Sequence, residues 1–91
     1  MPAGFPRPER NARVQVGGRV VYVDCLWRDA GLAVELDSRA HHADWESAEA
    51  DRARDAALLA IGIRTVRVTA RRLRAERHRL ELELRAARGE V

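Results

Sequence analysis

Two turn signals bracket the most β-favouring run of this chain and leave it little freedom of topology. Gly17-Gly18 supplies a two-residue turn that tolerates positive φ, and Arg28-Asp29-Ala30-Gly31 supplies a four-residue turn. Between them lies Arg19 to Trp27, in which Val20, Val21, Tyr22 and Val23 all favour strands. Val14 and Val16 alternate with polar residues before it, and Leu32 to Asp37 is a second strong strand after it. Parallel pairing needs a crossover of roughly a dozen residues or more, which neither turn provides. The three strands therefore read as an antiparallel meander.

After the polar stretch Ser38 to Asp44 the period changes. Trp45 to Ile61 is rich in Ala and Leu, holds neither Gly nor Pro, and stops at Gly62, where a helix C′ glycine belongs. Ile63 to Thr69 alternates around Val66 and Val68 as a fourth strand. Thr69 is placed to cap a final helix running to about Arg88, with Leu73, Leu80, Leu84 and Ala87 on one stripe. Pro2, Pro6 and Pro8 keep residues 1–12 as an extended leader, so the domain is expected over residues 13–89. The order β-β-β-α-β-α is an α/β arrangement: one mixed four-stranded sheet with helices packed against it.

Composition narrows the chemistry. All 17 cationic side chains are arginine, which excludes a P-loop ATPase, a Schiff-base enzyme and any catalytic lysine. The single cysteine, Cys25, excludes an internal disulfide and a Cys-rich zinc module, and fits a reducing cytoplasm. No apolar run approaches the ~20 residues of a membrane span, so no membrane partner is expected. Charge is segregated: residues 29–60 hold three arginines against eight acids, whereas residues 61–91 hold nine against four. An acidic centre beside a basic end fits a metal site flanked by phosphate-contacting surface, and also fits solvated helix faces of differing charge.

Register separates those two readings. Counting back from Trp27 and forward from Leu32 sets Asp24 opposite Glu35. Both carboxylates then share a face at a Cβ separation of ~4.5–5.5 Å, with Asp37 two residues beyond on the same face. Directly opposed like charges destabilise a sheet, and half-burial adds a desolvation cost. A Mg²⁺ ion, or Mn²⁺ in its place, would offset both through oxygen ligands. Neighbouring arginines would also neutralise the cluster, and a one-residue slip would turn Asp24 to the other face.

At this point the sequence resembles the PD-(D/E)xK nuclease superfamily, in its small bacterial branch of unknown function related to very-short-patch-repair endonucleases. The resemblance runs from about Gly4 to the last helix. It is carried by Pro6-Arg7-Pro8-Glu9, Val23-Asp24-Cys25-Leu26-Trp27 and Leu32-Ala33-Val34-Glu35-Leu36-Asp37, then by His41-His42, Asp51-Arg52-Ala53-Arg54-Asp55-Ala56-Ala57-Leu58 and Gly62-Ile63-Arg64-Thr65-Val66-Arg67-Val68-Thr69. It implies a restriction-endonuclease-like sheet and a Mg²⁺-dependent endonuclease that hydrolyses DNA phosphodiesters. Asp24 and Glu35 would be the metal-binding acids, joined by the backbone carbonyl of Leu36. Asp37 takes the lysine position, as an acid does in relatives of this branch, and His42 (or His41) is the implied general base. Arg52 and Asp55, on the helix facing the sheet, would orient the ligands or contact phosphate; an ion-pair lattice locking helix to sheet is the structural alternative.

The chain departs from the family pattern in four places. Asp37-Ser38 stands where Asp-Gly is usual, Ala48 stands where an aromatic precedes the helix acids, Ala70 stands for a tryptophan, and the superfamily's first helix has no counterpart. A domain truncated at its N-terminus is therefore expected, with a homodimer or partner chain covering the exposed sheet face. The rival function is a catalytically degenerate remnant that binds nucleic acid or a partner, as the C-terminal fragment of a longer antitoxin-like protein. Arg67, Arg71, Arg72 and Arg74 form the expected DNA-contacting stripe, with Glu76, Glu81 and Glu83 as alternative partners. Trp27 and Trp45 are expected in the core.

Overall fold

A computed structural model describes residues 6–37 and 45–89. β1 (Glu9–Val16) and β2 (Arg19–Trp27) pair antiparallel through Gly17-Gly18, with Gly17 at φ +59°. The second turn closes as a 3-10 turn, Arg28–Ala30, followed by Gly31 at φ +61°. Gly31 cannot carry a side chain, because a Cβ there would stand 2.3 Å from the carbonyl oxygen of Gly62. That close approach lets Arg64 N–H donate to the Gly31 carbonyl at 2.8 Å, which fixes where the fourth strand begins.

β3 (Leu32–Asp37) lies antiparallel to β2, with Trp27 opposite Leu32 and Cys25 opposite Val34. This is the register read from the turn. α1 (Trp45–Ala60) ends as its glycine dictates: Gly62 takes φ +89°, and Ile63 N–H returns to the Leu58 carbonyl at 2.9 Å. β4 (Arg64–Thr69) then runs parallel to β3, giving the sheet order β1-β2-β3-β4. The molecule is thus α/β, with a four-stranded mixed sheet and, among the described residues, three helices. None of those helices is long and apolar enough to cross a membrane.

Each sheet face has its own core. On one side Ala12, Val14, Val21, Val23, Leu26 and Ala33 pack with Leu58 of α1. On the other, Trp27, Leu32, Val34 and Val68 pack with Leu80 and Leu84 from the last helix. Val23, Leu26, Leu32 and Leu58 are essentially inaccessible to solvent. Burying a side chain of this size contributes about 1.5–3 kcal/mol.

Four expectations are corrected. β1 begins at Glu9, inside the segment read as a leader, because Glu9 pairs with Leu26 and is clamped by Arg28 (Nε–Oε2 2.8 Å, Nη2–Oε1 3.0 Å). The last helix is broken at Glu76 (φ −130°, ψ 36°) into α2 (Ala70–Ala75) and α3 (Arg77–Ala87). The break lets Leu73 of α2 and Leu80, Leu84 and Ala87 of α3 all join the second core. α3 therefore covers part of the face expected to lie bare. Trp45 is 70% exposed, while Trp27 is buried, donating its indole N–H to the Pro6 carbonyl at 2.8 Å.

Candidate functional site

The site forms where the sheet's regular pairing opens. Along β2, Val21 and Val23 face the α1 side, and so does Leu26, so the alternation reverses between them. Cys25 and Trp27 accordingly belong to the opposite core. The same reversal occurs across the ladder on β1, where Asn11 takes φ +48°, and Asn11 and Asp24 are missing from an otherwise continuous set of partners. Asparagine tolerates this left-handed conformation better than most residues. The β2–β3 ladder likewise runs only from Trp27 to Cys25, ending one pair short of Asp24 and Glu35. Asp24 thus sits at a gap in both ladders.

The two carboxylates fill that gap. Asp24 Oδ2 accepts from Leu36 N–H at 2.7 Å, and the Asp24 N–H donates to Glu35 Oε2 at 3.4 Å. In an extended strand a residue's N–H and C=O leave the same edge, so the Leu36 carbonyl shares that edge with its N–H. Asp24 is exposed, and Glu35 is buried at 7% exposure. Arg54 from α1 reaches both strands, forming an ion pair with Glu35 Oε1 and donating to the Tyr22 carbonyl. Glu35 Oε1 is nevertheless a buried oxygen that accepts no well-formed hydrogen bond.

Burial raises the Glu35 pKa above the ordinary carboxylate value; Arg54 works against that rise and the neighbouring Asp24 carboxylate adds to it. Beside it, Arg67 lies opposite Glu35 in the β3–β4 register. Its guanidinium grips Asp55 in a bidentate pair (3.2 and 2.8 Å) and stands 3.8 Å from Asp51. Burial opposes the Arg67 charge, but Asp55, Asp51 and Glu35 outweigh it and raise the pKa. This linked set holds Asp24, Glu35, Asp51 and Asp55 against Arg54 and Arg67, a formal charge of −2 among the described residues.

No protein-family model, curated protein or solved structure matches this chain.

The site residues anticipated from sequence are distributed as follows. Asp24 and Glu35 meet, with Leu36 between them in the hydrogen-bond network. Asp37 follows Glu35 and Leu36 at the end of β3, and among the described residues no three His, Cys, Asp or Glu side chains gather as a metal-ligand group. Asp37 pairs with Thr69, two strand positions or roughly 6–7 Å beyond Glu35. His42, with His41, lies outside the described residues. Asp55 is at the site, but Arg52 is on the exposed side of α1, and Arg54 takes the place expected of it.

The arginine stripe is also divided. Arg67 is turned onto Asp55, and Arg72 is paired with Glu83, whereas Arg71 and Arg74 are exposed. Arg54 and Asn11 are the contributors that sequence reasoning missed. For Arg54 a signal existed: Asp51, Arg54, Asp55 and Leu58 recur at the i, i+3, i+4, i+7 spacing of one helix face. Leu58, the only α1 residue fully buried among the described side chains, marks that face as the one against the sheet.

Proposed function

We propose that this chain is a PD-(D/E)xK-type, restriction-endonuclease-like domain that hydrolyses DNA phosphodiesters with a divalent metal at Asp24 and Glu35. The observation that carries the reading is the meeting of an exposed aspartate and a buried glutamate at a gap in the sheet, inside a cluster of charge −2. The donors suit Mg²⁺, which is commonly held through one or two carboxylates and retained waters rather than by an all-protein cage. The like charge of the adjoining Asp24 and Glu35 carboxylates is what such an ion would offset. Asp24, Glu35 and the Leu36 carbonyl would hold it.

The bound metal would supply an activated water and stabilise charge on the phosphate. The protein's own residues do the remainder. Asp24 is held in place by the Leu36 N–H, which donates to its Oδ2. Arg54 opposes the desolvation that favours the neutral form of Glu35. The Asp55–Arg67–Asp51 set anchors α1 to β4, holding Arg54 at its post. Exposed Arg71 and Arg74 would meet the DNA backbone, giving salt-dependent and sequence-independent affinity.

One observation favours a second reading. Arg54 already gives Glu35 a counter-charge, as a catalytically degenerate nucleic-acid-binding or partner-binding remnant would need. Supercoiled plasmid incubated with Mg²⁺ or Mn²⁺ separates the two. Nicking by the wild type that is lost in Asp24→Asn and in Glu35→Gln is expected. Binding of the plasmid with no nicking by any of the three establishes the remnant.

A further inference from the structure

The sheet face opposite the carboxylates holds a cavity of about 450 Å³, between β2–β4 and the two last helices. Its floor is aliphatic and aromatic, with Trp27, Val34, Val68 and Leu80 all buried. No carboxylate lines it, and its charged lining consists of Arg7, Arg10 and Arg77. All three are exposed, and none makes an ion pair or hydrogen bond among the described residues. Five arginines outside the cavity are held by carboxylates, Arg28 by Glu9, Arg54 by Glu35, Arg67 by Asp55, Arg72 by Glu83 and Arg88 by Asp29, whereas the three at the cavity converge on one apolar floor.

We propose that this cavity binds an organic anion with an aliphatic body, its carboxylate or phosphate held by Arg7, Arg10 and Arg77. The size falls within the usual range of ligand pockets, roughly 300–1,000 Å³. Guanidinium groups match carboxylate and phosphate geometry and supply the strong, charge-assisted hydrogen bonds. The lining also decides against a nucleobase. A base presents polar edges that need partners, and besides the arginines the side-chain lining offers only the weakly bonding Cys25 thiol and the Trp27 indole N–H. That indole N–H is already given to Pro6. A saturated chain leaves no such group unpaired. The site is on the other sheet face from Asp24 and Glu35, so it does not depend on the nuclease reading.

Cys25 lines the cavity and is the chain's only cysteine, so it reports occupancy directly. Burial pushes its thiol pKa up, with Arg10 acting in the opposite sense, so labelling is run at mildly alkaline pH. The whole chain is titrated with decanoate, decyl phosphate, decanol or an acidic amphipathic peptide, and the rate of maleimide attachment to Cys25 is followed. Decanoate or decyl phosphate is expected to slow labelling saturably, and whichever is tighter identifies the headgroup. Decanol should bind at least about tenfold more weakly, and the double variant Arg10→Gln, Arg77→Gln should lose about tenfold for the anions alone. Equal protection by decanol, or no protection by either anion, overturns the proposal. Protection by the peptide without protection by the anions also overturns it and makes the cavity a protein-docking site.

Discussion

Truncating Arg54 to methionine tests the electrostatics of the site without touching either carboxylate. Glu35 is buried and its side chain is 9% exposed, while that of Arg54 is 22% exposed. Removing one partner of a fully buried pair costs about 3–5 kcal/mol. Arg54 is partly solvated, so about 2 kcal/mol is expected at neutral pH. For a domain of this size that corresponds to a fall in Tm of about 8–16 °C.

The loss should depend on pH, with a sign fixed by Glu35. Its folded-state pKa is raised, chiefly by burial, whereas Arg54 lowers it. An acid of this kind favours folding fully below its unfolded pKa, and that contribution disappears as pH rises through the folded value. Without Arg54 the folded pKa climbs further, so the variant's deficit should be small at about pH 5 and complete at about pH 8. Glu35→Gln removes the titration and should flatten the difference, holding within about 1 kcal/mol of wild type at the higher pH. Thermal melts of the three proteins at both pH values give the answer. An Arg54→Met loss equal at the two pH values, or below about 0.5 kcal/mol as for a surface pair, would refute the reasoning.

Further substitutions test the frame that carries the site. Gly31→Ala puts a Cβ against the Gly62 carbonyl at positive φ, so a loss of about 2–4 kcal/mol is expected in denaturant melts. Thr69 caps α2 by accepting from Arg72 N–H at 3.0 Å, and Thr69→Ala should cost about 1 kcal/mol by the same melts. Arg67→Lys loses the bidentate grip on Asp55 although it keeps the charge. With both side chains roughly a third exposed, the cost should be about 0.5–1 kcal/mol.

Much of this architecture is legible in the sequence because it is local. Two short turns around a β-branched run allow only a meander, and the Trp27–Leu32 closure sets Asp24 opposite Glu35 by counting alone. Gly62 ends α1 where a C′ glycine should. What escapes is set by tertiary contacts. Nothing in Glu9 to Ala12 announces a strand until Arg28 and Leu26 meet it across the hairpin. The reversal of facing at Asn11 and Asp24 violates strand periodicity, and only paired strands can show it. The break at Glu76 occurs at a residue with good helix propensity, so packing of Leu80 and Leu84 decides it. Arg52 and Arg54 look equivalent in the string, yet α1 turns one toward Glu35 and the other to solvent once Leu58 fixes its face.

The central claim, that Asp24 and Glu35 form a divalent-cation site, is tested most directly by calorimetric titration of Mn²⁺ into the wild type, Asp24→Asn, Glu35→Gln and Arg54→Met. A saturable site in the wild type, lost in Asp24→Asn and Glu35→Gln and tightened in Arg54→Met, is the predicted result. No saturable binding by the wild type, or binding that both carboxylate substitutions leave unchanged, would contradict it.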